Sequence, residues 1–102
     1  MVQKCIMGSS GGGETVEYDY SSYSAYPNGT VTIPITDGMV TVAPGAYESS
    51  QFEGCWYVKQ GVMTKIYQNS SPKTTVTYSD GTMTIKNNTS GYYINAWVYS
   101  EV

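Results

Sequence analysis

What most constrains this chain is its punctuation. Turn-forming groups recur along it: Pro27-Asn28-Gly29, Asp37-Gly38, Gln60-Gly61 and Asp80-Gly81, with the polar connections Asn69–Lys73 and Asn87–Gly91. Turn signals every 8 to 12 residues or so leave room for short strands but not for helices of ordinary length. No segment longer than a turn carries a 3.6-residue apolar period. Composition agrees. The chain has no Leu, Arg or His, Thr is abundant, and Tyr occurs 11 times; these are sheet formers rather than helix formers.

Turn chemistry and apolar alternation test one another in the candidate hairpins. With Asp37-Gly38 as a two-residue turn, Thr36 faces Met39, Ile35 faces Val40 and Ile33 faces Val42, so Val31, Ile33, Ile35, Val40 and Val42 share one face. Pro34 lacks an N–H and places its strand at an edge. With Asp80-Gly81 as the turn, Tyr78 faces Met83 and Val76 faces Ile85, with Thr on the other side. Gln60-Gly61 predicts a third hairpin pairing Lys59 with Val62, Tyr57 with Thr64 and Cys55 with Ile66, with mixed faces. The last strand, Tyr92 to Tyr99, sets Ile94, Ala96 and Val98 against Tyr93, Asn95, Trp97 and Tyr99. Seven or eight such strands predict an all-β fold, a small antiparallel β-sandwich or partly open barrel of hairpins.

At 102 residues there is one core to fill. The chain divides into an N-terminal arm with a Gly-rich linker, 1–13, and a β-sandwich domain, 14–102. In the arm Val2, Ile6 and Met7 are the residues expected to make an assembly contact, and Gly8 to Gly13 reads as a flexible connection. That tract is not a phosphate loop, since no Gly-Lys-Ser/Thr ending or helix pattern follows it. The opening MVQKCIMGSS carries no signal-peptide core and no run reaches membrane-spanning length, so a soluble chain made in a cytoplasm is expected. In a reducing compartment Cys5 and Cys55 are expected as free thiols, although a bridge between them would close a long loop. Four Asn-x-Ser/Thr tripeptides carry no weight without secretion.

The charge balance argues against nucleic acid. Only 13% of residues are charged and the formal net charge is −3, the wrong sign for neutralising phosphates. Without His there is no Ser/His or Cys/His pair, no imidazole base and no mixed zinc site. Two carboxylates suffice for a glycosidase, and Glu14, Glu17, Asp19, Glu48 and Glu53 are the candidates; acidic residues on the polar side of a strand read as a solvated face. No calcium loop is present, Asp37 and Asp80 being accounted for as turn residues. The expectation is a protein that is not an enzyme and has no cofactor or metal.

The residues that stand out are aromatic. Tyr18, Tyr20, Tyr23 and Tyr26 are interleaved with Ser and Asp, a mixture suited to protein contact because rigid rings give area at low entropic cost. Tyr93, Trp97 and Tyr99 form a second row that suits stacking on sugar rings or packing on a neighbouring subunit. The alternative is that Tyr18, Tyr20 and Tyr78 belong to the core. Trp56 and Tyr57 must face opposite ways, one buried and one partly exposed.

With its small opening strand, glycine tract and Thr/Tyr/Asn-rich body ending in GYYINAWVYS, the chain resembles the small accessory proteins of tailed-phage virions: head-decoration, tail-tube, baseplate and fibre-associated proteins. The resemblance implies a virion structural or accessory role in protein–protein assembly. Its partners would be other virion proteins or copies of itself in a homo-oligomer. It also implies an arm that adds a strand to a neighbour. A carbohydrate- or receptor-binding module with a host glycan as ligand is the alternative. No nucleic-acid or membrane partner is expected.

Overall fold

The computed structural model describes residues 3–8, 15–45 and 53–101. Among them are nine strands and no helix: β1 (Gln3–Gly8), β2 (Thr15–Ala25), β3 (Thr30–Pro34), β4 (Gly38–Pro44), β5 (Gly54–Lys59), β6 (Val62–Gln68), β7 (Thr74–Ser79), β8 (Thr82–Asn87) and β9 (Ile94–Glu101). They form two antiparallel sheets. One has the order β1-β2-β9-β4-β5-β6 and the other β3-β8-β7. The all-β sandwich expected from the turn spacing is therefore the fold, with the three-stranded sheet laid over the middle of the larger one.

Both tight hairpins at Gln60-Gly61 and Asp80-Gly81 are present. All four of these residues have positive φ, between 50° and 75°, the twist that a two-residue connection needs to match right-handed strands. The Asp80-Gly81 register is the expected one, with Ser79 opposite Thr82, Tyr78 opposite Met83 and Val76 opposite Ile85. Around Gln60-Gly61, Lys59 pairs with Val62 and Tyr57 with Thr64, but the register then shifts. Cys55 lies opposite Tyr67 rather than Ile66, because a bulge inserts one extra residue into β6.

The hairpin expected at Asp37-Gly38 is not one. Asp37-Gly38 carries the chain from one sheet to the other: β3 pairs with β8, whereas β4 pairs with β5 and β9. Ile33 and Ile35 consequently face Val40 and Val42 across the core instead of beside them in one sheet, and all four are buried. Apolar alternation fixes which side of each strand faces the core, and a crossing satisfies that as well as a hairpin does. Side-chain and main-chain bonds hold this corner. Asp37 Oδ1 accepts from the Gln60 amide at 3.0 Å; the Asp37 carbonyl accepts from Glu101 N at 2.8 Å, and the Thr36 carbonyl from Gly61 N at 3.1 Å. Gly38 must be glycine, since a Cβ there would run into the Tyr99 carbonyl and sit 2.9 Å from the Ser100 Cα.

The core lies between the sheets. Ile33, Ile35, Met83 and Ile85 from the smaller one meet Ala25, Val40, Val42, Trp56, Val58, Ile94, Ala96 and Val98 from the larger, with Tyr23, Val31, Met63, Val76, Tyr78 and Tyr92 packed around them. Two buried polar residues tie loops to this core. Glu53, 1% exposed, accepts from Lys73 N at 2.6 Å and from the Thr74 hydroxyl at 3.0 Å. The fully buried Asn87 donates to the carbonyls of Ala25 and Tyr92 and accepts from the Thr89 amide and hydroxyl. Its amide thereby joins β8 of one sheet to β2 of the other and fixes the loop that leads into β9.

The opening segment, read from sequence as an arm, pairs with its own chain. β1 runs antiparallel to β2 from Gln3 opposite Tyr20 to Gly8 opposite Thr15 and forms one edge of the large sheet. The backbone of Ile6 and Met7 belongs to this strand; Val2 and the glycines at 11–13 lie outside the described residues. Cys5 sits on β1 and Cys55 on β5, with three strands between them. At about 4.8 Å per strand that places their backbones roughly 19 Å apart, far beyond disulfide reach, and Cys55 is a free thiol.

Candidate functional site

The outer face of the six-stranded sheet, turned away from the core, gathers the aromatic residues. Alternation decides it. On β9 the inward residues are Ile94, Ala96 and Val98, so Asn95, Trp97, Tyr99 and Glu101 point outward. The β2–β9 register then stacks matched pairs along this face: Ser24 beside Asn95, Ser22 beside Trp97, Tyr20 beside Tyr99 and Tyr18 beside Glu101. The Tyr20 and Tyr99 rings lie tilted with centroids 5.1 Å apart, and one step past the strand ends Tyr26 meets Tyr93 edge-on at 5.0 Å. At 3.4 Å per residue, the eight steps from Tyr18 to Tyr26 make a stripe roughly 27 Å long.

The neighbouring strands widen the stripe into a surface. Met39 lies beside Tyr99 and Thr41 beside Trp97 on β4; Tyr57 lies beside Met39 and Cys55 beside Thr41 on β5. Thr41 Oγ1 and Cys55 Sγ are 3.9 Å apart, and the Ser24 hydroxyl donates to Asn95 Oδ1 at 2.7 Å. Two shallow hollows open here. One, of about 430 Å³, is lined by Tyr20, Thr41, Trp97 and Tyr99; the other, of about 330 Å³, by Tyr18, Gly38, Met39 and Tyr99. The face is thus apolar and aromatic with hydroxyls and amides set between the rings.

Its charge is confined to one end. Lys59 Nζ lies 3.5 Å from Glu101 and 3.8 Å from Asp37. The Glu101 carboxylate, then Tyr57 and Asp37, raise the Lys59 pKa above its ordinary value against a desolvation that lowers it. Among the described residues no group of three His, Cys, Asp or Glu is placed to hold a metal ion.

Of the sequence candidates, Tyr18, Tyr20, Trp97 and Tyr99 come together at the centre of this face, and Tyr26 and Tyr93 form its far end. Tyr23 does not join them. It lies on the inward side of β2, packed against the core. Tyr18 and Tyr20 are half-buried on the outer face rather than in the core, whereas Tyr78 does pack on the core, its hydroxyl donating to the Ile35 carbonyl at 2.6 Å. Trp56 is the buried member of its pair and Tyr57 the exposed one.

The carboxylates do not form a pair across the sheet. Glu17 and Asp19 lie on β2 and Glu53 just before β5, with two strands between β2 and β5, while positions 14 and 48 lie outside the described residues. Three interstrand steps put Glu53 about 14 Å from β2, wider than either carboxyl separation used in glycoside hydrolysis. Sequence reasoning missed Met39, Thr41 and Tyr57 as members of the site. Their off-core positions were legible from alternation, but the β4–β9 pairing that brings them beside Tyr99 and Trp97 was not. No protein family matches the chain, and neither the curated proteins nor the solved structures yield a match.

Proposed function

We propose that this chain is a non-catalytic assembly module, of the virion structural or accessory kind that its sequence resembles, docking through the outer face of its six-stranded sheet. The observation that carries the reading is the gathering of Tyr18, Tyr20, Trp97, Tyr99, Met39 and Tyr57 on a face that no other described element covers. Tyr and Trp are the residues that anchor protein interfaces, since they exclude water over a large area and lose little side-chain entropy. Low charge outside the Lys59 cluster fits a surface that must be desolvated. Because β1 completes the edge of its own sheet, the contact is assigned to this face rather than to an outreaching arm.

Co-expression with the products of the adjacent genes tests the reading. A complex should form and should weaken at least tenfold in the Trp97→Ala and Tyr99→Ala variants, with thermal unfolding little changed. Complexes indifferent to both substitutions would sink it.

A second reading, a glycan-binding module on the same face, draws on the hollow between Tyr20, Thr41, Trp97 and Tyr99, where rings for stacking flank hydroxyls for hydrogen bonding. It predicts array binding that is lost in Trp97→Ala with the fold intact. An array without hits removes it.

A further inference from the structure

The free edge of β6 is unlike the two edges of the smaller sheet. In the three-stranded sheet, β3 presents an exposed Pro34, which has no N–H to offer, and β7 presents exposed Thr75, Thr77 and Ser79. Pro34 is one of the usual ways of blunting an edge against strand addition, and β7 offers no large exposed apolar side chain. β6 instead exposes Val62, Ile66 and Tyr67, at 65%, 59% and 53% of their surfaces, and its guards are one lysine, Lys65, and the bulge at Ile66, which leave Val62 to Lys65 regular. A long apolar edge left open invites uncontrolled pairing.

The backbone of β6 is also ready to pair. A two-residue loop closes on a hydrogen-bonded pair, here Lys59 and Val62, and bonded pairs alternate with non-bonded ones along an antiparallel ladder. Val62 and Thr64 therefore spend their main-chain groups on β5, and Met63 and Lys65 turn theirs to the open side.

We propose that β6 pairs antiparallel with β6 of a second copy of this chain, about a twofold axis at Thr64, fusing the two large sheets into one. In that register Met63 and Lys65 exchange main-chain bonds with Lys65 and Met63 of the other copy, about four bonds in all. Thr64 meets its own copy at the close, non-bonded position, and Val62 lies across from Ile66, covering the exposed apolar residues with each other. Shifting the axis by one residue to Lys65 would set two lysines opposite each other, which is unfavourable; it would also use main-chain groups at the bulge. The register is thus selected by charge, by the alternation of free groups and by apolar cover.

This deepens the assembly reading by naming a partner, yet it stands on a different surface. Adjacent-gene complexes indifferent to Trp97→Ala and Tyr99→Ala would remove the outer-face reading and leave this one untouched, and a monomeric chain would leave the outer-face reading untouched.

The test is the mass in solution by sedimentation velocity up to millimolar concentration. The expected species is a dimer of the 11.1 kDa chain. Lys65→Pro removes one outward N–H without touching the β5–β6 ladder and should yield monomer. Val62→Lys with Ile66→Lys sets positive charges opposite each other and should also yield monomer, whereas Val62→Lys with Ile66→Glu sets opposite charges across the axis and should restore the dimer. Circular dichroism of each variant reports whether it is folded, and only folded variants are compared. A monomeric wild-type chain overturns the proposal. So does a dimer that survives both disrupting variants, and so does an open series of larger species, the mark of β6 pairing with Gln3–Gly8 of the next copy.

Discussion

Replacing Asn87 by Asp turns one donor atom into an acceptor and changes almost nothing in volume, so it isolates the amide that ties β8 of one sheet to β2 of the other. The carboxylate keeps the bonds that Asn87 Oδ1 accepts from the Thr89 amide at 2.9 Å and hydroxyl at 2.7 Å. It loses the two donated by Nδ2, to the Ala25 carbonyl at 3.1 Å and the Tyr92 carbonyl at 2.8 Å. A buried acceptor deprived of its donor costs about 1–3 kcal/mol. Tyr92 O keeps a share of the single Thr89 hydroxyl proton, which lies 3.0 Å from it and 2.7 Å from Oδ1, so its loss falls below that of Ala25 O and the sum is about 3 kcal/mol at pH 7. For a domain near 100 residues each kcal/mol moves Tm by roughly 4–8 °C, giving a fall of roughly 12–24 °C. The pH dependence makes the test specific. A carboxyl set between two carbonyls holds its proton more tightly when folded than the ordinary ~3.9. As pH rises past about 4 the unfolded variant ionises first, and the variant therefore loses stability relative to wild type as pH rises and recovers it in acid, where the neutral group can donate again. Urea unfolding followed by circular dichroism across this pH range measures both effects. A variant within about 0.5 kcal/mol of wild type at pH 7, the ordinary scatter of surface substitutions, would refute the reasoning, as would a deficit that does not shrink in acid.

Three further outcomes follow from particular contacts. Gly38→Ala pushes a methyl group into the Tyr99 carbonyl and should cost about 1–3 kcal/mol of strain in urea unfolding; a neutral result would mean that the corner relaxes freely. Glu53→Ala orphans the Lys73 amide and the buried Thr74 hydroxyl and should destabilise by about 2–6 kcal/mol, at about 1–3 for each orphaned donor; Glu53→Gln, which keeps an acceptor oxygen, should cost less, and equal losses would contradict the assignment. The Lys59 pKa, followed by NMR of its ε-methylene, should lie above 10.5 and fall back in Glu101→Gln, Glu101 being the largest cause of the rise. Because the folded value is the raised one, what this pair contributes is present below pH 10.5 and is lost as pH climbs through the folded value.

What the sequence made legible is what local physics decides. Positive-φ turn residues and period-two alternation specify hairpins and core faces within a few residues of one another, and Asp80-Gly81 and Gln60-Gly61 came out with the expected pairings next to the turns. Farther from the second turn the β6 bulge moved Tyr67 opposite Cys55, since an inserted residue leaves no mark in a strand whose faces are both mixed. The strand partners that are distant in sequence were not legible. β9 lies between β2 and β4, and no pattern in Ile94–Glu101 names either neighbour. Six of the seven aromatic candidates were gathered into one surface by that placement, Tyr18, Tyr20, Trp97 and Tyr99 along the strands and Tyr26 and Tyr93 at the far end. Tyr23 was misassigned because YDYSSYSAY does not alternate evenly: Tyr20 and Tyr23 are an odd number of residues apart and so lie on opposite faces.

The crossing at Asp37 is what makes the outer face a site. Had Asp37-Gly38 closed a hairpin, β4 would have paired with β3 in the smaller sheet, and Met39 and Thr41 would have faced solvent away from Tyr99 and Trp97. The difference lies in where the corner's hydrogen bonds go. Asp37 has no positive φ, unlike Asp80 and Gln60, and its carboxylate and carbonyl are spent on Gln60 and Glu101. Those partners come from the β5–β6 turn and from the end of β9, so the corner is held by the large sheet and delivers β4 into it beside β9. Lys59, adjoining the same turn, adds its contact with Asp37 and Glu101. One short segment therefore decides both which sheet receives β4 and which side chains flank the Tyr99 and Trp97 rings, and it does so through contacts with residues more than twenty positions away.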